Sequence, residues 1–427
     1  VLNISKSIRA AVPWYTLISC AVALGITLTA GSVKADDKRF EVPENRKVGY
    51  ILPAEIIKGP HYSIRDKVVS YGYLHHYTVD SDFGVFKVTG DGALRKLLKE
   101  IQAIAALRKI KKTDAYLEAV KRAAASPLQF GKNLITDPQG TLSGLPKGVS
   151  RFFGNVSTNI SKTKDPSEDD RAKQVLQVSA YKREYAYKLG VDVYSSNSVL
   201  QEELNSVGWA SALGSLSVTA ATAPLGGALI TTAKAMRLAN QVNDLLKENP
   251  PSRLRVINEE KLTGMGISKE LSKRFLDHLH FTPRHDTIIV GCLESLRLIK
   301  GRERFLRFIL SAEDEVSANF FQNMAQTLMG YHESVSPLKE IKIVGGLVLA
   351  EAQNLSALIP FPLDHGVWTR RADRILTNLV SSYKGSGGSG KLKLWVTGTL
   401  SPMARQQLRL IGIRVKEKVD EQIEFVD

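Results

Sequence analysis

Three histidines, His278, His280 and His285, stand close together in the run DHLHFTPRHD, flanked by Asp277 and Asp286. Histidine is a common metal ligand. A His-x-His pair on extended chain turns both rings to one face, and a third His completes a zinc-type set. The chemistry of such a set is metal-assisted hydrolysis. A second reading is conformational. The stretch up to Leu279 has the pattern of a helix end, where residues two apart face different directions and imidazoles suit the helix dipole. Thr282-Pro283 then opens a new helix. The other pair, His75-His76, points to opposite faces of a predicted hairpin.

Other motifs offer less. Gly385 to Lys391 fits G-x-x-x-x-G-K, but Leu392 stands where a phosphate loop needs Ser or Thr. The segment also runs from helix to strand rather than strand to helix, so it reads as a flexible connector. No G-x-S-x-G elbow, H-E-x-x-H pair or C-x-x-C is present. Asp169-Asp170 lie in a polar linker, and Asp80 and Asp82 share a turn that favours Asp for its conformation. Cys292, in the apolar stretch Ile288 to Leu293, reads as a small core residue. No cofactor is expected from these motifs.

Two small-residue segments stand out. Gly140, Gly144 and Gly148 fall four apart, a spacing that lets another backbone approach closely. They share their segment with Arg151 and other basic residues, a combination suited to an anionic bilayer surface. Leu204 to Ala233 carries no charge for 30 residues and is mostly Ala, Gly, Ser and Thr. It is long enough to span a membrane but poor in large apolar residues, and Pro224 breaks it. A buried helical hairpin is the preferred reading. Lys109, Lys111 and Lys112 close a basic helix and complete the candidate contacts to a membrane or partner. The plainer reading of that helix is a solvated face.

The N-terminus has the order of an export signal. Lys6 and Arg9 precede an uncharged run from Ala10 to Val33, and Val33-Lys34-Ala35 supplies a cleavage pattern. The same run has the length of an uncleaved anchor, and Leu17-Ile18-Ser19-Cys20 resembles a lipidation box. Cleavage after Ala35 removes three positive charges, Lys6, Arg9 and Lys34, from a net charge of +15. The expected location is the periplasm or cell envelope. The expected partner is an anionic membrane surface or an envelope protein, with self-association as a further possibility and nucleic acid excluded by export.

The 427 residues, 43% hydrophobic and 24% charged, have ordinary globular usage and suffice for two or three domains. Residues 1–35 are the predicted signal. Residues 36–160 carry a β-hairpin, with Val69, Tyr71, Tyr73, His75, Tyr77 and Val79 on one face, then basic amphipathic helices. Asp91 is a candidate helix cap, and Leu94, Leu97, Leu98, Ile101, Ile104 and Leu107 mark the apolar side. Residues 171–335 form a helical domain in which Ser268, Thr282 and Ser311 mark helix starts. Residues 337–427 form a small α/β domain, with strand Leu392 to Val396, a helix from Ser401-Pro402 and a strand after Gly412. The expected class is α+β, predominantly α-helical, with an N-terminal β-hairpin, a helical middle and a small C-terminal α/β unit.

Several stretches resemble an uncharacterised family of exported bacterial proteins. They are Leu52 to His61, Tyr77 to Gly84, Asp137 to Gly148, Lys182 to Ala186 with Gly190-Val191-Asp192, and Thr397-Gly398 to Gly412. The resemblance implies export and one architecture for most of the chain, and no activity, cofactor or catalytic residue. Two functions are expected. The first is a non-enzymatic envelope protein held peripherally at a membrane or partner. The second is a periplasmic hydrolase, metal-dependent through His278, His280 and His285.

Overall fold

The computed structural model describes residues 39–124, 166–214, 216–222, 237–296, 298–423 and 425–426. Short strands β1 (Arg46–Lys47), β2 (Lys58–Gly59), β3 (Tyr62–Ile64), β4 (Lys67–Tyr71), β5 (Leu74–Ser81) and β6 (Gly84–Thr89) form one curled antiparallel sheet, with a single helical turn α1 (Ala54–Ile57) between β1 and β2. β5 pairs with β3, β4 and β6. The chain reverses at Gly72, φ 69°, between β4 and β5. That turn resets the alternation predicted across Val69 to Val79. Ser70 stands opposite His75, so Val68 and Ser70 share the inner face with His75 and Tyr77, while Val69 and Tyr71 face the other way.

Helix α2 (Asp91–Lys111) buries its apolar stripe in two places. Its first half, Leu94 to Ile101, packs under the curled sheet against Val68, Tyr77 and Val79. Its second half, Ala103 to Ile110, enters a core shared with α3 (Asp114–Ala124), α4 (Pro166–Leu189), α5 (Ser198–Gly214) and α6 (Val218–Thr222). Small residues in α5 let that core close: a Cβ at Gly214 would overlap the Ala119 carbonyl of α3. Residues 223–236, which include the rest of the charge-free run up to Ala233, lie outside the described residues. No described helix is long and apolar enough to cross a membrane.

Six helices follow: α7 (Arg237–Glu248), α8 (Pro251–Gly264), α9 (Lys269–Leu276), α10 (Pro283–Ser295), α11 (Arg302–Ile309) and α12 (Glu315–Ser334). Ser268 caps α9 and Thr282 caps α10 by accepting backbone N–H groups of Leu271 and His285. The start predicted at Ser311 moves to Glu315, because Asp314 and Ser317 form a reciprocal capping box.

The second sheet holds β7 (Leu338–Val344), β8 (Leu347–Ala352), β9 (Ser356–Pro360), β11 (Lys391–Trp395) and β13 (Ile413–Lys416) in the order β13-β11-β9-β8-β7. β9, β11 and β13 run parallel, and β7 and β8 add antiparallel pairs. Two further short strands, β10 (His365–Gly366) and β12 (Thr399–Leu400), pair with each other. α13 (Arg370–Gly385) and α14 (Pro402–Leu410) cover one face of the sheet.

These observations correct the expected class. The protein is mixed α/β, 55% helical and 18% strand. The N-terminal hairpin is part of a six-stranded sheet. The C-terminal strands do not stand apart as a small unit, because one hydrophobic core runs from Leu238 in α7 through α12 to Leu358, Trp395 and Val426. The physical reason lies in burial. β8 and β9 are covered on both faces, so Leu347 to Ala350 and Ala357 to Ile359 read as continuous apolar runs instead of the alternation that marks an exposed strand.

The loops that leave β9, β11 and β13 at their carboxyl ends touch one another. A Cβ at Gly398 would overlap the Asp364 carbonyl. Gly398→Ala is therefore expected to destabilise the protein by about 1–3 kcal/mol through overpacking, seen as a lower urea midpoint with an unchanged slope.

Candidate functional site

A cleft of about 490 Å³ opens where these loops meet the first turns of α2. Leu363, Asp364, Thr397, Gly398 and Asp420 line one side, Gly90 to Ala93 with Arg95 and Lys96 the other, and Ser195 to Ser198 with the start of α12 close the end. Open α/β sheets bind ligands at this position, outside the carboxyl ends of their parallel strands.

Asp91 and Asp364 line the cleft, and with the buried His75 each places a ligand atom within 4.8 Å of the others. Local structure explains how. β5 begins beside the point where β6 passes into α2, and the Gly90 N–H donates to the His75 carbonyl at 2.8 Å. Gly90 has φ 99°, a conformation open to glycine, and there it ends the strand and starts the helix. This sets Asp91 beside His75, with the ring Nδ1 2.9 Å from Asp91 Oδ1. The Tyr77 hydroxyl donates to the same oxygen at 2.6 Å.

Asp364 arrives from the loop after β9. Its carboxylate accepts the His75 N–H at 2.8 Å and the Asp91 N–H at 3.1 Å. It thus caps α2 from a residue 273 positions away. Burial, and then the charge of Asp91, raise its pKa to about 7, against the two backbone donors that favour the ionised form. Burial and the neighbouring Asp91 also push the Tyr77 hydroxyl far above its usual range, so it stays a donor. The Asp91 side chain keeps 29% of its surface, while His75 keeps 4% and Asp364 9%. Asp91 is thus the member of the group most open to the cleft.

A second polar group fixes the far end. Lys96 Nζ lies 3.3 Å from Asp192 and 3.8 Å from Glu315. Glu100 accepts from Ser195 Oγ at 2.6 Å and Asn197 Nδ2 at 2.9 Å. Burial pushes the Asp192 carboxyl up, but Lys96, Arg284 and the Tyr194 N–H outweigh it and hold the group below its ordinary value.

The histidines singled out in sequence are engaged elsewhere. His285 is buried, its Nδ1 accepts the Thr282 N–H at 3.2 Å, and its Nε2 lies 3.0 Å from Asn319 Oδ1. His278 bonds the Leu310 carbonyl through Nε2 at 3.0 Å, and its Nδ1 takes the His280 N–H at 3.4 Å. The rings of His278 and His280 lie 5.8 Å apart. Among the described residues, the trio close enough to share an ion is His75, Asp91 and Asp364. Lys111 and Arg108 both pair with Glu203, at 2.9 and 2.8 Å. Lys109 is exposed, and Lys112 is the C-cap of α2. Gly140, Gly144, Gly148 and Arg151 lie outside the described residues. Sequence reading placed Asp91 as a cap and Asp364 nowhere. The available signal was Gly90-Asp91-Gly92, an acid between two glycines where a strand gives way to a helix.

Asp364→Ala removes both acceptors at once and is expected to cost at least about 2 kcal/mol from two stranded backbone donors, measured by urea unfolding at neutral pH. His285 gives a pH test. Burial is the largest cause lowering its pKa, against the Asn319 bond that raises it. Lys96 also lowers it, while Asp192 and Glu315 act the other way. The unfolded chain therefore takes up the proton first. Stability is complete above the ordinary value of 6.5 and is lost as pH falls below it. The loss between pH 7.5 and 5.5 should shrink in His285→Gln, and an equal loss in both proteins would refute the assignment.

No protein-family model, curated protein or solved structure matches this chain.

Proposed function

We propose that the protein is a hydrolase of the cell envelope that binds a polar ligand in the cleft, with Asp91 as its general base. The observation that carries this reading is the Asp91 carboxylate. One oxygen is held by Tyr77 and His75, and the side chain remains open to a cleft rich in hydroxyls and amides. A base fixed by two partners and facing a ligand space is preorganised for proton transfer. His75 and Tyr77 position it, and Asp364 holds the two backbone segments that carry His75 and Asp91.

Envelope location belongs to the same proposal and rests on the N-terminal pattern of Lys6 to Ala35. Peripheral attachment through the basic end of α2 has weaker support, because Glu203 takes up the charges of Arg108 and Lys111. The test is a panel of chromogenic acetate, phosphate and glycoside substrates, run with the purified chain and with Asp91→Asn. General-base loss predicts a fall in turnover of about 100-fold or more. Turnover equal in the two proteins, or absent from the whole panel, would sink the reading.

A further inference from the structure

We infer that His75, Asp91 and Asp364 hold one divalent cation of the manganese-to-zinc series at the wall of the cleft. The donor set is one imidazole and two carboxylates, a mixture that suits those ions. The spacing fits. Ligands about 2.1 Å from an ion, at right-angled to tetrahedral geometry, lie about 3.0–3.4 Å from one another. Here the His75 Nδ1 is 2.9 Å from Asp91 Oδ1 and 3.9 Å from Asp364 Oδ2, and all three ligand atoms fall within 4.8 Å.

One observation asks for something the chain does not supply. The ligand nitrogen of the buried His75 ring is Nδ1, the atom that faces both carboxylates. The two carboxylates also stand side by side, and among the described residues neither pairs with a lysine or arginine. A proton can relieve that repulsion, and so can a cation, which satisfies all three side chains together.

The surroundings are those of a ligand set held from behind. The Tyr77 hydroxyl orients Asp91, and the backbone N–H groups of His75 and Asp91 orient Asp364. Each carboxylate oxygen has two acceptor positions, so these bonds leave room for an ion. Such outer contacts tune metal affinity. Three protein ligands with an open side toward the cleft is the arrangement of a site that keeps a position for water or ligand.

The cation deepens the hydrolase reading, since it occupies the same cleft, but it stands or falls by binding alone. Isothermal titration of the full chain with Mn²⁺ and with Zn²⁺ is the measurement. One ion per chain is expected. Asp91→Asn should weaken binding at least about 100-fold, and Tyr77→Phe, which keeps the ring and loses only the hydroxyl, about 10- to 100-fold. His280→Ala should bind as the parent does. Circular dichroism of each variant separates lost binding from lost fold. Three results overturn the site: no binding at millimolar ion, unchanged affinity in Asp91→Asn and Tyr77→Phe, or loss in His280→Ala instead. An ion that binds as expected in a protein inert to every substrate of the panel leaves the site standing and removes the hydrolase. Turnover that survives chelation in a chain that binds no ion does the reverse.

Discussion

One carboxylate joins the two sheets. Asp364, in the loop after β9 of the C-terminal sheet, accepts the backbone N–H groups of His75 and Asp91. The contact is reciprocal, because the Asp364 N–H donates to the Tyr73 carbonyl at 2.9 Å. When Asp364 is ionised these are hydrogen bonds to a charged acceptor, among the stronger ones available to a protein, and they fix the register between a loop and a hairpin. Tyr73 adds apolar weight at the same place, packing on Phe320 and Phe361. The cleft exists because this junction holds its two walls at one separation. Burying Asp364 is costly in itself, and the cost is offset by the donors around it.

The polar groups of the junction divide the work between support and chemistry. Asp364 and His75 are nearly closed off, while Asp91 is partly open. Lys96, Asp192, Glu100 and Glu315 do at the far end what Asp364 does at the near one. They tie α2 to the Val191–Ser198 segment and to the start of α12. Neither cluster reads as a surface ion pair of little consequence, since His75 in the one and Asp192 and Glu100 in the other are buried.

What the sequence made legible was local. The stripe from Leu94 to Leu107, the caps at Ser268, Thr282 and Ser401, and the strand at Leu392 follow from periodicity and side-chain chemistry over a few residues. The site was not legible, because its members stand far apart in the chain and each has an ordinary local reason to be there. His75 reads as a strand residue and Asp91 as a cap. Asp364 follows an apolar run that gives no sign of polar partners. The DHLHFTPRHD cluster shows the converse. Histidines close in sequence were consumed by a helix end, a capping box and a buried bond to Asn319. Adjacency in sequence made them conspicuous, and the folded backbone gave each a separate task. The class itself was misread because a strand buried on both faces loses its alternation.

Helix α2 carries a mechanical consequence. At 1.5 Å per residue its 21 residues form a rod about 31 Å long. Its first turn bears Asp91, and its last bears Arg108, Lys109 and Lys111. Two separate cores grip the rod along its length, one under the curled sheet and one among α3 to α6. A rod held this way is one rigid piece. The lysines at one end and the cleft carboxylate at the other keep a single separation, because one helix carries both.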